Sequence, residues 1–224
     1  MKKFILSLDT STNLCSVSIK HNSYYIEINN LTKKKYKKNN EHILSNINYI
    51  TLISKIKLYN INIISFNFGP GSFTGLRLSS IICKGLFFNK KNNIIRISNF
   101  HNIALATWKK YKNTYTFISL HSKYNEIYFC LLKFNINKKI IQPIMPESIN
   151  NINNFKSFPS NYIYTGNAFS IKENIKYKKN LLKSIYNKYP TAKYTSLLSE
   201  AYLKNNISTT INNTSPNYII ENIF

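Results

Sequence analysis

Four of the chain's five glycines, Gly69, Gly71, Gly75 and Gly85, fall within one 17-residue stretch. Clustering of this kind in a chain otherwise nearly free of glycine reflects local backbone geometry, because glycine accepts positive φ and lets another backbone come close. The segment Phe66-Asn67-Phe68-Gly69-Pro70-Gly71-Ser72-Phe73-Thr74-Gly75-Leu76-Arg77 follows the apolar, β-branched run Ile61 to Phe68 and precedes Leu76 to Phe88. The pattern predicts a strand, a turn fixed by Pro70, and a helix. Many folds hold phosphate where a glycine turn opens a helix. The spacing here is Gly-x-Gly-x-x-x-Gly, without the Gly-Lys-Ser/Thr ending of a P-loop and without the dinucleotide fingerprint. Spacing alone leaves two readings open, an anion-binding turn or a tight turn with close packing.

The flanking pattern is strand-rich and repeats. Residues 4–9 and 14–20 alternate apolar and polar side chains, as half-buried strands do, around the polar turn Thr10-Ser11-Thr12-Asn13, and Tyr24 to Ile28 predicts a third strand. Glu41 to Lys57 predicts an amphipathic helix carried by Ile43, Leu44, Ile47, Ile50 and Ile53, with Asn40 as its N-cap. A strand at Ile94 to Ile97 and a helix at Asn102 to Lys109 close this half. A second strand–turn–strand unit, Thr116 to Cys130, then opens the other half. Further on come a strand at Tyr162 to Thr165 ending at Gly166, and helices at Lys179 to Lys188 and Ser196 to Lys204. Lys33 to Lys38 reads as a solvated loop, and Gln142 to Ser160, rich in Asn, Pro and Ser, as loop or insertion. A hairpin opening both halves predicts a duplicated α/β architecture of two small domains, 1–105 and 106–224.

Lys+Arg number 31 against 8 Asp+Glu, a net charge of +23. That excess points to anionic partners such as nucleic acid. Yet only Arg77 and Arg96 are arginines, and Lys, Asn, Ile, Tyr and Phe, which dominate the chain, have A/T-rich codons. A base-biased genome produces the same composition, whereas phosphate recognition favours the planar fork of Arg. Cys15, Cys83 and Cys130 form no C-x-x-C pair, which predicts free thiols in a reducing compartment. The four histidines have no metal-ligand spacing, so no metal site is expected. Asp9 and the polar turn interrupt the apolar start too early for a signal sequence, and no apolar run is long enough to span a bilayer; the expectation is a cytoplasmic chain.

Asp9 is the acid placed where chemistry is conceivable, at the end of the first strand. In actin-like phosphotransferases an Asp there positions the nucleotide's hydrated metal, and a glycine two residues on lets the turn wrap phosphate. Here Ser11 holds that place, so Asp9, Thr10 and Ser11 read either as a vestigial nucleotide site or as a carboxylate capping its own turn. On the helix after the glycine turn, Gly75, Ser79 and Cys83 recur every four residues and share one face, flanked by an apolar strip of Leu78, Ile82 and Leu86. Small side chains let another element approach closely, either the chain's own sheet or a partner helix.

Leu6-Ser7-Leu8-Asp9-Thr10-Ser11-Thr12 with Cys15-Ser16-Val17, then Glu41-His42, then Phe68 to Arg77 with Lys84-Gly85-Leu86, closely resembles the bacterial TsaB (YeaZ) family. The resemblance covers residues 4–88. Later, the second hairpin keeps Glu126 and Tyr128 of that family's pattern, and its C-terminal motif becomes Pro216-Asn217-Tyr218-Ile219-Ile220. The resemblance implies an actin-like (ASKHA, ribonuclease H-like) fold. It also implies a non-catalytic partner subunit for transfer of threonylcarbamoyl from its adenylate to the adenosine beside the anticodon of tRNAs reading A-starting codons. The implied partners are TsaD, which holds the active site, and TsaE, with a homodimer when the chain is alone. ATP and Mg2+ would be used by the assembled complex, with no cofactor on this chain. Partner contact would fall on first-domain helices, around Gly75, Leu78, Ser79, Ile82, Cys83 and Leu86. Gly69, Pro70, Gly71 and Arg77 would shape the turn, with Arg77 bonding a carboxylate or backbone carbonyls. The alternatives are a small-molecule kinase of the same superfamily and, with no nucleophile–base pair or metal site to support it, a peptidase.

Overall fold

A computed structural model of the chain describes residues 3–31, 39–86, 93–122, 126–151, 162–168, 184–186 and 189–207. The chain forms two compact units, Met1–Asn102 with Pro190–Asn217, and Ile103–Tyr189 with Tyr218–Phe224.

The first unit is built on strands β1 (Phe4–Asp9), β2 (Leu14–His21), β3 (Tyr24–Leu31), β4 (Ile63–Gly69) and β5 (Asn93–Ser98), ordered β3-β2-β1-β4-β5. The first three form an antiparallel meander. β4 pairs parallel with β1, Leu8 against Phe66, and β5 parallel with β4. Parallel neighbours need crossovers, which helices α1 (Asn39–Ser54) and α2 (Phe73–Leu86) supply. Alternation along the strands sorts the two faces. Leu6, Leu8, Val17, Ile19 and Phe66 pack with Ile43, Ile47 and Ile50 of α1 and Ile82 and Cys83 of α2. Leu44 and Ile53 point outward instead, because a helix on a flat sheet buries one stripe only. Helix α1 starts at Asn39, so Asn40, expected as its N-cap, is its second residue.

The opposite face carries Ser7, Asp9, Ser16, Ser18, Lys20, Ser65 and Asn67, all of them buried. The alternation suggests strands with one face in water, yet this polar face is covered by α4 (Ala192–Lys204). That helix brings matching groups. The Ala192 amide donates to Ser16 Oγ at 2.9 Å, Ser18 Oγ donates to the Ala192 carbonyl at 2.9 Å, and Thr195 Oγ1 donates to Asn67 Oδ1 at 2.6 Å. Buried Lys20 is neutralised by Glu200 at 2.8 Å, and Lys204 reaches the same carboxylate at 3.1 Å. Burial pushes the Glu200 carboxyl up, but the two lysines outweigh it and hold it below its ordinary range. A buried charge is tolerated only when paired in this way. Helix α4 thus belongs with the first sheet, which a linear division near residue 105 does not contain.

The second unit repeats the plan with β6 (Tyr115–His121), β7 (Glu126–Asn135), β8 (Ile140–Asn151), β9 (Ile163–Gly166) and β10 (Ser184–Tyr186), ordered β10-β9-β6-β7-β8. β6, β7 and β8 form the meander, and β9 and β10 add parallel beyond β6. Residues 142–151, expected as loop, are strand. Pro143 and Pro146 are tolerated because β8 is an edge, where a missing N–H breaks no ladder, and the β7–β8 register shifts beside them. Residues 184–186, expected as helix, pair with β9 as a strand. The rest of the predicted helix at 179–188, the lysine run 33–38 and the segment 216–220 lie outside the described residues. Helix α3 (Asn99–Tyr111) starts in the first unit and continues in the second.

A three-stranded meander with two parallel strands beyond its first strand, present twice, is the duplicated α/β layout of the actin-like, ribonuclease H-like fold. Among the described residues no helix is long and apolar enough to cross a membrane.

Candidate functional site

The turn after β4 closes on the turn after β1. Gly71 lies where a Cβ would come 2.5 Å from the Ser11 carbonyl, and at Gly75 a Cβ would come 1.9 Å from that of Thr10. Only a hydrogen fits at either place. The Ser72 amide donates to the Ser11 carbonyl at 2.7 Å. Ser72 also caps α2, its Oγ accepting from the Gly75 amide at 3.4 Å. Thr10 Oγ1 donates to the Gly75 carbonyl at 2.6 Å and lies 2.5 Å from Ser79 Oγ. Asn99, at the start of α3, ties the two turns together, its Nδ2 donating to Ser11 Oγ at 2.8 Å and to the Pro70 carbonyl at 2.7 Å.

At the centre sits Asp9, with 0% exposure. Its Oδ1 accepts from the Ser11 amide at 2.9 Å and from Ser11 Oγ at 2.6 Å. Asp9 therefore caps its own turn through the Ser11 amide and hydroxyl. Burial pushes the Asp9 carboxyl up to about 7, although the Ser11 hydroxyl and amide, and Asn67 more weakly, pull the other way. Its Oδ2 and the Nδ2 of Asn67, on the adjacent strand, have no hydrogen-bond partner among the described residues. Thr10 and Ser11 are as buried as Asp9. A phosphate at this turn would have to displace the chain's own atoms, so these residues do not fit a nucleotide's phosphates locally. No group of three or more His, Cys, Asp or Glu that could hold a metal occurs among the described residues.

The small-residue face of α2 packs inward. Gly75, Ser79, Ile82 and Cys83 are buried against the chain's own sheet and turn, and Leu78 and Leu86 are half-buried. In the chain by itself the small residues of that face serve the approach of α2 to Thr10. The outward face carries Phe73, 51% exposed, and Ile81, 65% exposed. The Arg77 guanidinium lies 3.8 Å from the centroid of the Phe73 ring, one turn before it, in a cation–π contact. Helix α1, on the same side of the sheet, exposes Leu44, Tyr49, Leu52 (74%) and Ile53. The sequence reading passed over Asn99, Asn67 and Thr195. Asn99 had a signal, being a cap-type residue at the start of a helix.

These features define an actin-like α/β protein whose first-strand turn is filled by its own side chains. A family model described as TsaD, tRNA N6-adenosine threonylcarbamoyltransferase, matches residues 33–222. The chain is 35% identical over 141 residues to the tRNA threonylcarbamoyladenosine biosynthesis protein TsaB of Buchnera aphidicola subsp. Acyrthosiphon pisum, covering 63% of this chain and 62% of the relative. It is 34% identical to the protein of that name from Haemophilus influenzae, covering 56% and 52%. These matches span about half to three-fifths of the relatives' length. The solved structure of YeaZ from Pseudomonas aeruginosa has the same fold, with a TM-score of 0.81 over 96% of this chain and 99% of that one at 16% identity. The chain belongs to the TsaB (YeaZ) family, within the wider group that the TsaD model describes.

Proposed function

We propose that this chain is a non-catalytic subunit in the synthesis of threonylcarbamoyladenosine in tRNA. In this reading it docks a TsaD partner through the outer surface of α1 and α2. The observation that carries the docking is the run of exposed apolar side chains on those helices, Leu44, Tyr49, Leu52 and Ile53 on one, Phe73 and Ile81 on the other. Apolar surface of this kind gains about 25 cal/mol per Å² when a partner removes it from water. The sealed turn at Asp9 supports the non-catalytic part and weighs against the kinase alternative, because the one acid at the turn is committed to Ser11. Transfer of threonylcarbamoyl would take place on TsaD, TsaE would join the assembly, and ATP and Mg2+ would be used by the complex. In the absence of TsaD the same surface would pair two copies of this chain.

The test is light-scattering size-exclusion chromatography of the chain with and without TsaD, repeated with Ile81→Arg and with Leu52→Arg. A mixed complex with wild type, lost in both variants while their thermal melts stay unchanged, is the expected outcome. Complexes that survive both substitutions would move the interface elsewhere. Ser79→Arg is unsuitable, because Ser79 is buried against Thr10 and its replacement would perturb the fold.

A further inference from the structure

One end of the second sheet gathers lysines onto aromatic rings. Trp108, near the end of α3, packs on Phe134 of β7 with ring centroids 4.0 Å apart and the rings tilted by 30°. The loop that follows α3 is fixed to the same place, since the Phe134 amide donates to the Thr114 carbonyl at 2.8 Å. Lys109 and Lys112 lie over the Trp108 ring at 5.8 and 4.7 Å, and Lys110 over Tyr111 at 5.1 Å. Directly across the β6–β7 pair, Lys133 lies 5.5 Å over Tyr115. The β7–β8 turn adds exposed Lys138 and Lys139. The acids among the described residues of this unit are Glu126 and Glu147. Glu126 starts β7, at the opposite end from Lys133, about 20 Å away at the rise of a strand. Glu147 acts on Cys130, midway along the sheet.

We propose that this end of the second sheet, from Trp108 to Lys112 with Tyr115, Lys133 and the turn at Lys138, is a binding surface for the phosphate backbone of RNA. Drift in base composition scatters lysine over a surface. Here four ammonium groups are held over half-buried rings, which limits their freedom before a ligand arrives. Ring-backed cations in a row, with little opposing acid, match a chain of phosphates whose bases can stack where rings are open. The choice of tRNA as the RNA rests on the function proposed above; the surface itself does not.

The experiment is fluorescence anisotropy of a labelled tRNA transcript with the full chain, from 50 to 300 mM salt. Four proteins are compared: wild type, Lys109→Gln/Lys112→Gln/Lys133→Gln, the same three positions changed to Arg, and a control with the exposed Lys3, Lys55 and Lys84 changed to Gln. Neutralising the cluster is expected to raise the Kd about tenfold at low salt and to reduce the slope of log K against log salt by about three. The Arg variant should bind like wild type, which excludes misfolding as the cause, and the control should lose markedly less. Equal losses in cluster and control variants would overturn the proposal in favour of diffuse charge, and so would absence of binding by wild type. Mixing each variant with TsaD separates the two readings, because loss of RNA binding with the protein complex intact bears on this surface alone.

Discussion

The fourth strand of each sheet ends on a glycine with positive φ, Gly69 at 128° in the first and Gly166 at 119° in the second. What surrounds those glycines differs. In the first unit the turn after Gly69 closes over the hairpin turn of Asp9, Thr10 and Ser11, and every one of those three side chains is buried. In the second unit the comparable place at the end of β6 holds exposed His121, whose amide donates to Asn167 Oδ1 at 2.7 Å. The glycine at the strand end is therefore a demand of the repeated fold. The interlocked polar turns are the specialised part, and the first unit alone carries them among the described residues. A glycine-rich turn after a strand is thus poor evidence for phosphate binding until its neighbours are known.

The sharpest way to break this comparison is to add one methyl group in each unit. At Gly75 a Cβ would stand 1.9 Å from the Thr10 carbonyl, and at Gly166 it would stand 2.0 Å from the Ser119 carbonyl on a backbone that L-residues rarely adopt. Gly75→Ala and Gly166→Ala are each expected to cost about 3–5 kcal/mol in urea unfolding, among the largest effects of single substitutions. A cost under about 1 kcal/mol at Gly75, with the full cost at Gly166, would mean that the hairpin turn yields and the two turns are not interlocked.

A second effect belongs to the first unit alone. The folded-state carboxyl of Asp9 titrates near 7, against 3.8 for the unperturbed group. Folded chains therefore bind more protons at this site than unfolded ones between those values, so its contribution makes stability fall as pH rises from about 4 to about 7 and level off above. Asp9→Asn keeps an oxygen for the Ser11 bonds and removes the titration. The expected result is a variant whose stability relative to wild type improves across that pH window, by on the order of 2–4 kcal/mol at pH 8. A constant difference from pH 4 to pH 8 would show that Asp9 is already charged at low pH and that the turn is less dry than its burial implies.

Much of this fold was legible because its signals are local. Period-two alternation marked β1 and β2, Gly69 and Pro70 marked the turn before α2, and the second hairpin announced the duplication. What covers each face was not legible. Alternation puts Ser7, Ser16 and Ser18 on the polar side of half-buried strands, and only the return of α4 from more than 120 residues away makes that side interior. The same limit applied to the site. Gly75, Ser79 and Cys83 were correctly placed on one face of a helix, but periodicity cannot say whether a sheet or a partner lies opposite. Asn99 and Thr195 reach the polar turns and Asn67 through tertiary contacts that no spacing in the chain encodes. β8 was missed because Pro143 and Pro146 argue against a strand everywhere except at an edge.

The smallest effect tests the outer surface of α2. Gly85 lies ten residues after Gly75 in the same helix, yet a Cβ there would meet nothing within 4 Å. Alanine loses less conformational freedom than glycine on entering a helix, so Gly85→Ala should stabilise the chain by about 0.5 kcal/mol, less than a mid-helix position would give because the helix ends at Leu86. That corresponds to a rise in Tm of about 1–2 °C for a chain of this size. The gain should persist in the isolated chain and shrink or reverse in the complex with TsaD if the partner's backbone comes close to this surface. A loss of stability in the isolated chain would mean that the chain itself already covers the outer face of α2, and the docking surface would then have to be sought elsewhere.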